Sequence, residues 1–212
     1  MPIKKTLLLF ILTGLIGCGP KYVESSLPPE IEKHSVREIG LVPFVVEPQT
    51  TGELRSGTVG EGATEIITDQ FYRKLIERRL TVIRWERPEN VPSGGEAEPL
   101  SDLQRAQQIG KILKTQTVLF GSVTTFIERE GSALGVRKPA SVGFTVQLIH
   151  TDDGHLLWKA SYHETQKSLM EDITAFRLFF KRKGRWLTAA ELSEDGVEQL
   201  LAASPWAKMK AD

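Results

Sequence analysis

Two alternating runs separated by Asp152-Asp153-Gly154 constrain this chain more than any other feature. Val142, Phe144, Val146 and Leu148 fall on the even positions of the first run, and Leu156, Trp158, Ala160 and Tyr162 on those of the second. Successive side chains of a strand point to opposite faces, so each run presents one apolar face. For both to face one core, cross-strand partners need an even index sum. A two-residue Asp153-Gly154 turn pairs Asp152 with His155, an odd sum, and puts the apolar sets on opposite faces. A three-residue loop, Asp152-Asp153-Gly154, pairs Thr151 with His155. It brings Leu148 opposite Trp158, Val146 opposite Ala160 and Phe144 opposite Tyr162. It also sets Gly154 at the left-handed position of a type I turn with a G1 bulge, where glycine is favoured.

The flanking sequence reads as further strands and helices. Residues 39–46, Ile-Gly-Leu-Val-Pro-Phe-Val-Val, suit a strand covered on both faces. Pro43 removes one ladder donor there. Residues 47–62 form a loop, and 63–79 a helix with Ala63, Ile66, Ile67, Phe71, Leu75 and Ile76 on one face. Residues 80–85 are a second strand. Residues 86–100 hold three prolines and two glycines and read as a long surface loop. Ser101 and Gln104 form a capping box for a helix with the stripe Leu103, Ala106, Ile109 and Leu113. Residues 116–128 carry apolar side chains on both parities, as a central strand does. Beyond the hairpin, Leu169, Ile173, Phe176 and Phe180 mark a helix face. Residues 181–185 are a basic break containing Gly184. Thr188 and Glu191 cap a last helix through Leu192, Val197, Leu200 and Leu201, which Ser204-Pro205 ends.

The N-terminus has a different character. Lys4 and Lys5 precede an apolar stretch over residues 6–16, too short for a span of about 20 residues. It reads as a cleaved signal peptide. Leu15-Ile16-Gly17-Cys18 resembles the bacterial lipobox. Cys18 is the only cysteine, so it has no internal disulfide partner. The resemblance implies cleavage ahead of Cys18 and lipidation of its sulfur, with several acyl chains, which anchor stably where one does not. Gly19 is not the aspartate that marks inner-membrane retention in such lipoproteins, which implies the outer membrane with the domain facing the periplasm. Residues 18–38 are polar, hold Pro20, Pro28 and Pro29, and read as a tether. Twenty flexible residues span roughly 25 Å root-mean-square.

Removing residues 1–17 leaves 195 residues, enough for one sizeable core. Lys4 and Lys5 go with the signal, so 25 basic residues face 27 acidic ones. No global field draws the chain to nucleic acid.

In order, the elements are strand, helix, strand, helix, three strands, helices. Three stretches resemble one superfamily of envelope lipoproteins: the curli-secretion channel subunit, the B-type lipoprotein activator of a penicillin-binding protein, and the N-terminal domain of the Tol-system propeller protein. They are Leu41-Val42-Pro43-Phe44, then Ala106-Gln-Gln-Ile-Gly110-Lys before Val118-Leu-Phe-Gly121-Ser-Val123, then Val142 through Gly154 to Trp158. The resemblance spans residues 39–162. It implies an accessory or assembly role in an envelope machine. The curli channel builds its pore from two long amphipathic hairpins inserted into this scaffold. The corresponding residues 129–141 are short, charged and interrupted by Pro139, whereas a membrane strand takes about 9–11 alternating residues.

Candidate chemistry is sparse. His150, Asp152, Asp153 and His155 surround one turn and are of metal-ligating type. The register above puts the two histidines on opposite faces, and turn aspartates usually bond their own backbone. Gly57-Thr-Val-Gly60-Glu-Gly62 precedes a helix as a phosphate cradle does, but matches no glycine fingerprint, and Glu61 repels phosphate. No Gly-x-Ser-x-Gly elbow occurs. His34 and His163 have no evident catalytic partner. Glu171-Asp172 and Glu194-Asp195 read as solvated helix residues. Arg177, Lys181, Arg182, Lys183, Arg185 and Trp186 form a basic-aromatic patch suited to lipid headgroups or an acidic partner, or to a helix end whose dipole favours cations.

These readings predict an α/β fold: a mixed sheet of about four or five strands packed by helices. Its parts are a signal peptide (1–17), a lipidated tether (18–38), one periplasmic domain (39–203) and a tail (204–212). The expected function is a non-enzymatic accessory module, anchored in the outer membrane through Cys18 and docked to a protein partner, with no cofactor, no metal and no nucleic acid. A homo-oligomeric secretion-channel subunit is the first alternative and a metal-dependent hydrolase the second.

Overall fold

In the computed structural model, residues 23–28, 36–47, 59–86, 94–95, 98–99, 101–166 and 184–208 are described. The strand expected to be central is so. β7 (Thr117–Ile127) pairs antiparallel with β10 (Ser141–His150) on one side and parallel with β2 (Glu38–Leu41) and β3 (Val45–Val46) on the other. β11 (Leu156–Thr165) follows β10, and β1 (Val23–Ser26) closes that edge. β4 (Thr81–Arg84) lies parallel to β2 at the opposite edge. The sheet is thus mixed and seven-stranded, in the order β1-β11-β10-β7-β2-β4 with β3 beside β7. Two short pairs stand apart: β5 (Gly94–Gly95) with β6 (Glu98–Pro99), and β8 (Glu130–Gly131) with β9 (Val136–Lys138).

Helices α1 (Ala63–Glu77) and α3 (Ala189–Ala202) cover one face. Between them and the sheet lies the main core, where apolar burial supplies most of the driving force. Its centre is aromatic. Phe44 stacks on Phe71 at 5.1 Å, Phe71 meets Phe144 edge-on at 6.0 Å, and Phe144 meets Tyr162 at 5.4 Å. Two glycines permit this packing. A Cβ on Gly121 would collide with the Phe44 ring, and one on Gly196 would lie 2.5 Å from the Tyr162 ring. Helix α2 (Asp102–Leu113) covers part of the other face over a small cluster of Val42, Trp85, Ile109 and Val118.

Both capping boxes form. Ser101 and Thr188 each accept from the backbone N–H three residues on, and Gln104 and Glu191 reach back to the cap amides at 2.9 Å.

Several expectations are corrected. Val23–Ser26, assigned to the tether, is an edge strand with Val23 opposite Tyr162. Residues 39–46 are not one strand, because Pro43 has no N–H and the Phe44 amide donates to Thr68 Oγ1 at 2.9 Å. β1 and β3 raise the sheet from the expected four or five strands to seven. Ile76 is exposed, and the buried face of α1 includes Thr68 and Gln70, because α1 turns towards α3. Gln70 Nε2 donates to Ala190 O at 2.9 Å across that contact. The predicted helix through Leu169, Ile173, Phe176 and Phe180 lies outside the described residues.

The hairpin keeps its predicted register through Leu148–Trp158, Val146–Ala160 and Phe144–Tyr162, but not at its tip. A bulge next to Leu148 pairs Ile149 with Leu156, and the His150 amide donates to His155 O at 2.9 Å. The turn therefore has four residues, closed by Gly154 N–H to His150 O at 2.9 Å. Thr151 is drawn the other way. Its amide donates to Gln116 O and its hydroxyl to Thr115 O, so it extends the β7 side instead of pairing with His155. Gly154 takes the predicted positive φ of 70°.

Candidate functional site

The His150–His155 pairing overturns the expectation that these side chains lie on opposite faces. The bulge makes them cross-strand partners, and both approach one carboxylate. Asp153 Oδ1 lies 2.8 Å from His150 Nδ1, and Asp153 Oδ2 lies 3.5 Å from His155 Nδ1. Asp153 also accepts the His155 amide at 3.0 Å. That backbone bond, then the His150 side chain, hold its carboxyl down at about 2, against an ordinary 3.8. An aspartate engaged in this way braces the turn. Among the described residues, no group of three or more His, Cys, Asp or Glu is arranged to hold a metal.

The glycine-rich approach to α1 is structural where it is described. Gly60 N–H donates to Phe126 O at 2.9 Å, Val59 bridges to Phe126, and Gly62 enters α1 with a φ of 74°. His163 is exposed on β11.

Two members of the basic-aromatic patch are described. Trp186 is buried, and its amide donates to Ala133 O at 2.8 Å, so it does not serve as a surface aromatic. Arg185 pairs with Glu191 at 2.6 Å. The Thr188 amide, then Arg185, lower the Glu191 carboxyl from its usual value. Arg177, Lys181, Arg182 and Lys183 lie outside the described residues, as do Cys18, the signal segment and most of residues 86–100.

A feature the sequence did not single out is the part of the sheet that, among the described residues, α2 leaves uncovered. Ser122, Thr145, Gln147, Lys159, Ser161 and His163 sit there on alternate positions, partly or fully exposed. At its margin a cleft of about 190 Å³ lies between Phe120, Arg105, Val42, Pro43 and Gln147. The Arg105 guanidinium lies 5.2 Å from the centre of the Phe120 ring, a cation–π contact. Val45 and Val46 are half exposed beside the cleft. Polar alternation in β10 and β11 was the available signal, but it reads equally as ordinary solvent-facing sheet.

No family model and no curated protein sequence matches this chain. Solved structures do. The PelC dodecamer from Paraburkholderia phytofirmans has a TM-score of 0.53 at 14% identity, covering 85% of this chain and 94% of that one. A variant of the same dodecamer has 0.52 at 14%, covering 85% and 96%. Lipoprotein GNA1162 from Neisseria meningitidis has 0.42 at 15%, covering 69% and 92%. At this identity the likeness to PelC is one of fold.

Proposed function

We propose that this protein is an envelope accessory lipoprotein. Cys18 holds it by lipid to the periplasmic side of the outer membrane, and its sheet domain docks a protein partner. The observation that carries the reading is the lipobox-like Leu15-Ile16-Gly17-Cys18 ending five residues before β1. Anchoring of this kind confines the module to a thin layer and raises its concentration beside a membrane partner. The docking surface is the uncovered sheet face around Thr145 and Gln147, with the cleft at Arg105 and Phe120. The fold shared with PelC is compatible with this role.

In-cell photocrosslinking tests the docking surface. A crosslinker at Thr145 is expected to capture a discrete envelope protein, while one at exposed Asp69 on α1 captures none. Equal capture from both positions contradicts the assignment.

A second reading, a closed ring of this chain, is favoured by one observation. Among the described residues, β4 pairs only with β2, leaving its other edge unpaired. The PelC neighbour is itself described as a dodecamer. Light scattering on detergent-solubilised protein separates a ring from a monomer.

A further inference from the structure

We propose that the end of the sheet bearing the β8–β9 hairpin rests on the lipid bilayer, with Leu134 as its inserted tip. This rests on the lipid anchor of the proposed function and adds an orientation to it.

β1 runs antiparallel to β11, so the chain enters it from the end of the sheet where Ile127 pairs with Ser141 and where β11 finishes at Thr165. Val23 is level with Tyr162 and Phe144. Four residues lie between it and Cys18, so the five steps reach at most about 18 Å even when fully extended. A lipid on Cys18 therefore holds this end of the domain close to the bilayer. The His150 turn is six residues along β10 from Phe144, about 20 Å further from the entry point.

Leu134 is 85% exposed, the most exposed of the large apolar side chains described. It sits at the tip between Ser132 and Gly135, whose backbones close the turn through Ser132 N–H to Gly135 O at 2.8 Å. Ile127 at the hairpin base is also exposed. Arg137 and Lys138 flank the tip and share one carboxylate, Glu130, at 2.6 and 2.9 Å, leaving one net positive charge. The nearby Glu128 is engaged elsewhere, accepting the Ala189 amide at 3.0 Å and lying 3.9 Å from Arg129. An apolar tip with long cationic side chains beside it matches a bilayer interface, where the tip enters the acyl boundary and the cations stay among phosphates. The hairpin is also tied to the body of the domain. Ala133 O accepts the Trp186 amide, and Arg129 Nη1 donates to Trp186 O at 2.7 Å.

Lipidation of Cys18 makes any introduced cysteine the only free thiol. Full-length Leu134→Cys and Asp152→Cys lipoproteins, labelled with an environment-sensitive fluorophore, are reconstituted into phosphatidylethanolamine–phosphatidylglycerol vesicles. The label at 134 is expected to shift to the blue. It should lose roughly half its emission to nitroxides placed at the ~5–10 Å depth of interfacial side chains. The label at 152 should do neither. A water-like signal at 134 on protein that floats with the vesicles overturns the orientation and leaves the anchor standing. A blue shift without nitroxide quenching points to a protein contact and overturns it equally. Protein that does not float, with Cys18 itself labelled, overturns both the anchor and this inference.

Discussion

The two faces of the sheet are built to different standards. Under α1 and α3, β10 and β11 contribute Phe144, Val146, Leu148, Trp158 and Tyr162 to an unbroken core. On the other face the same strands present Thr145, Gln147, Lys159 and Ser161, and α2 covers only one flank. The strand period of two makes this division automatic once one face is apolar. The covered face therefore carries stability, while the other face, among the described residues, stays largely solvent-facing.

The largest effect should come from the aromatic centre. Phe71→Ala leaves a cavity between Phe44 and Phe144 and should cost about 3–5 kcal/mol by urea denaturation. Phe120→Ala, on the half-covered face, should cost clearly less. Equal losses would mean that both faces of the sheet carry stability alike. Next, Gly196→Ala pushes a methyl into the Tyr162 ring and should cost about 1–3 kcal/mol by the same measurement. Thr188→Ala and Ser101→Ala remove equivalent caps, each expected to cost about 1 kcal/mol. Gln147→Lys should stay within about 0.5 kcal/mol of the parent while abolishing partner crosslinking from position 145.

The smallest effect belongs to the turn. Asp153 has a depressed folded value, so its contribution is complete above its ordinary 3.8 and is lost as pH falls towards about 2. Solvent exposure keeps that contribution small. An NMR titration of Asp153 should show a midpoint near 2, and Asp153→Asn should remove this limb from the acid-unfolding curve.

The hairpin shows how far the sequence could be read. Its register followed from period two and from the need to bury Phe144, Trp158 and Tyr162 together. The tip did not follow, because Thr151 is claimed by Gln116 and Thr115, which are 35 and 36 positions away. The caps at Ser101 and Thr188 were legible because capping is local. β1 was not. Val-Glu-Ser-Ser has no apolar alternation, and it forms a strand only because β11 offers an open edge. The uncovered face was equally hidden, since polar alternation marks solvent whether or not a partner uses it. Trp186 read as a surface aromatic among cations and is buried, because Ala133 and Arg129 hold its backbone against the hairpin.

The chemical state of the Cys18 sulfur decides whether this protein is lipid-anchored. Mass spectrometry of the N-terminal peptide from protein purified out of bacterial membranes measures it directly. The expected result is a chain beginning at Cys18 with glycerol-linked acyl chains on its sulfur. A mature chain beginning elsewhere, or an unmodified thiol at Cys18, would contradict it.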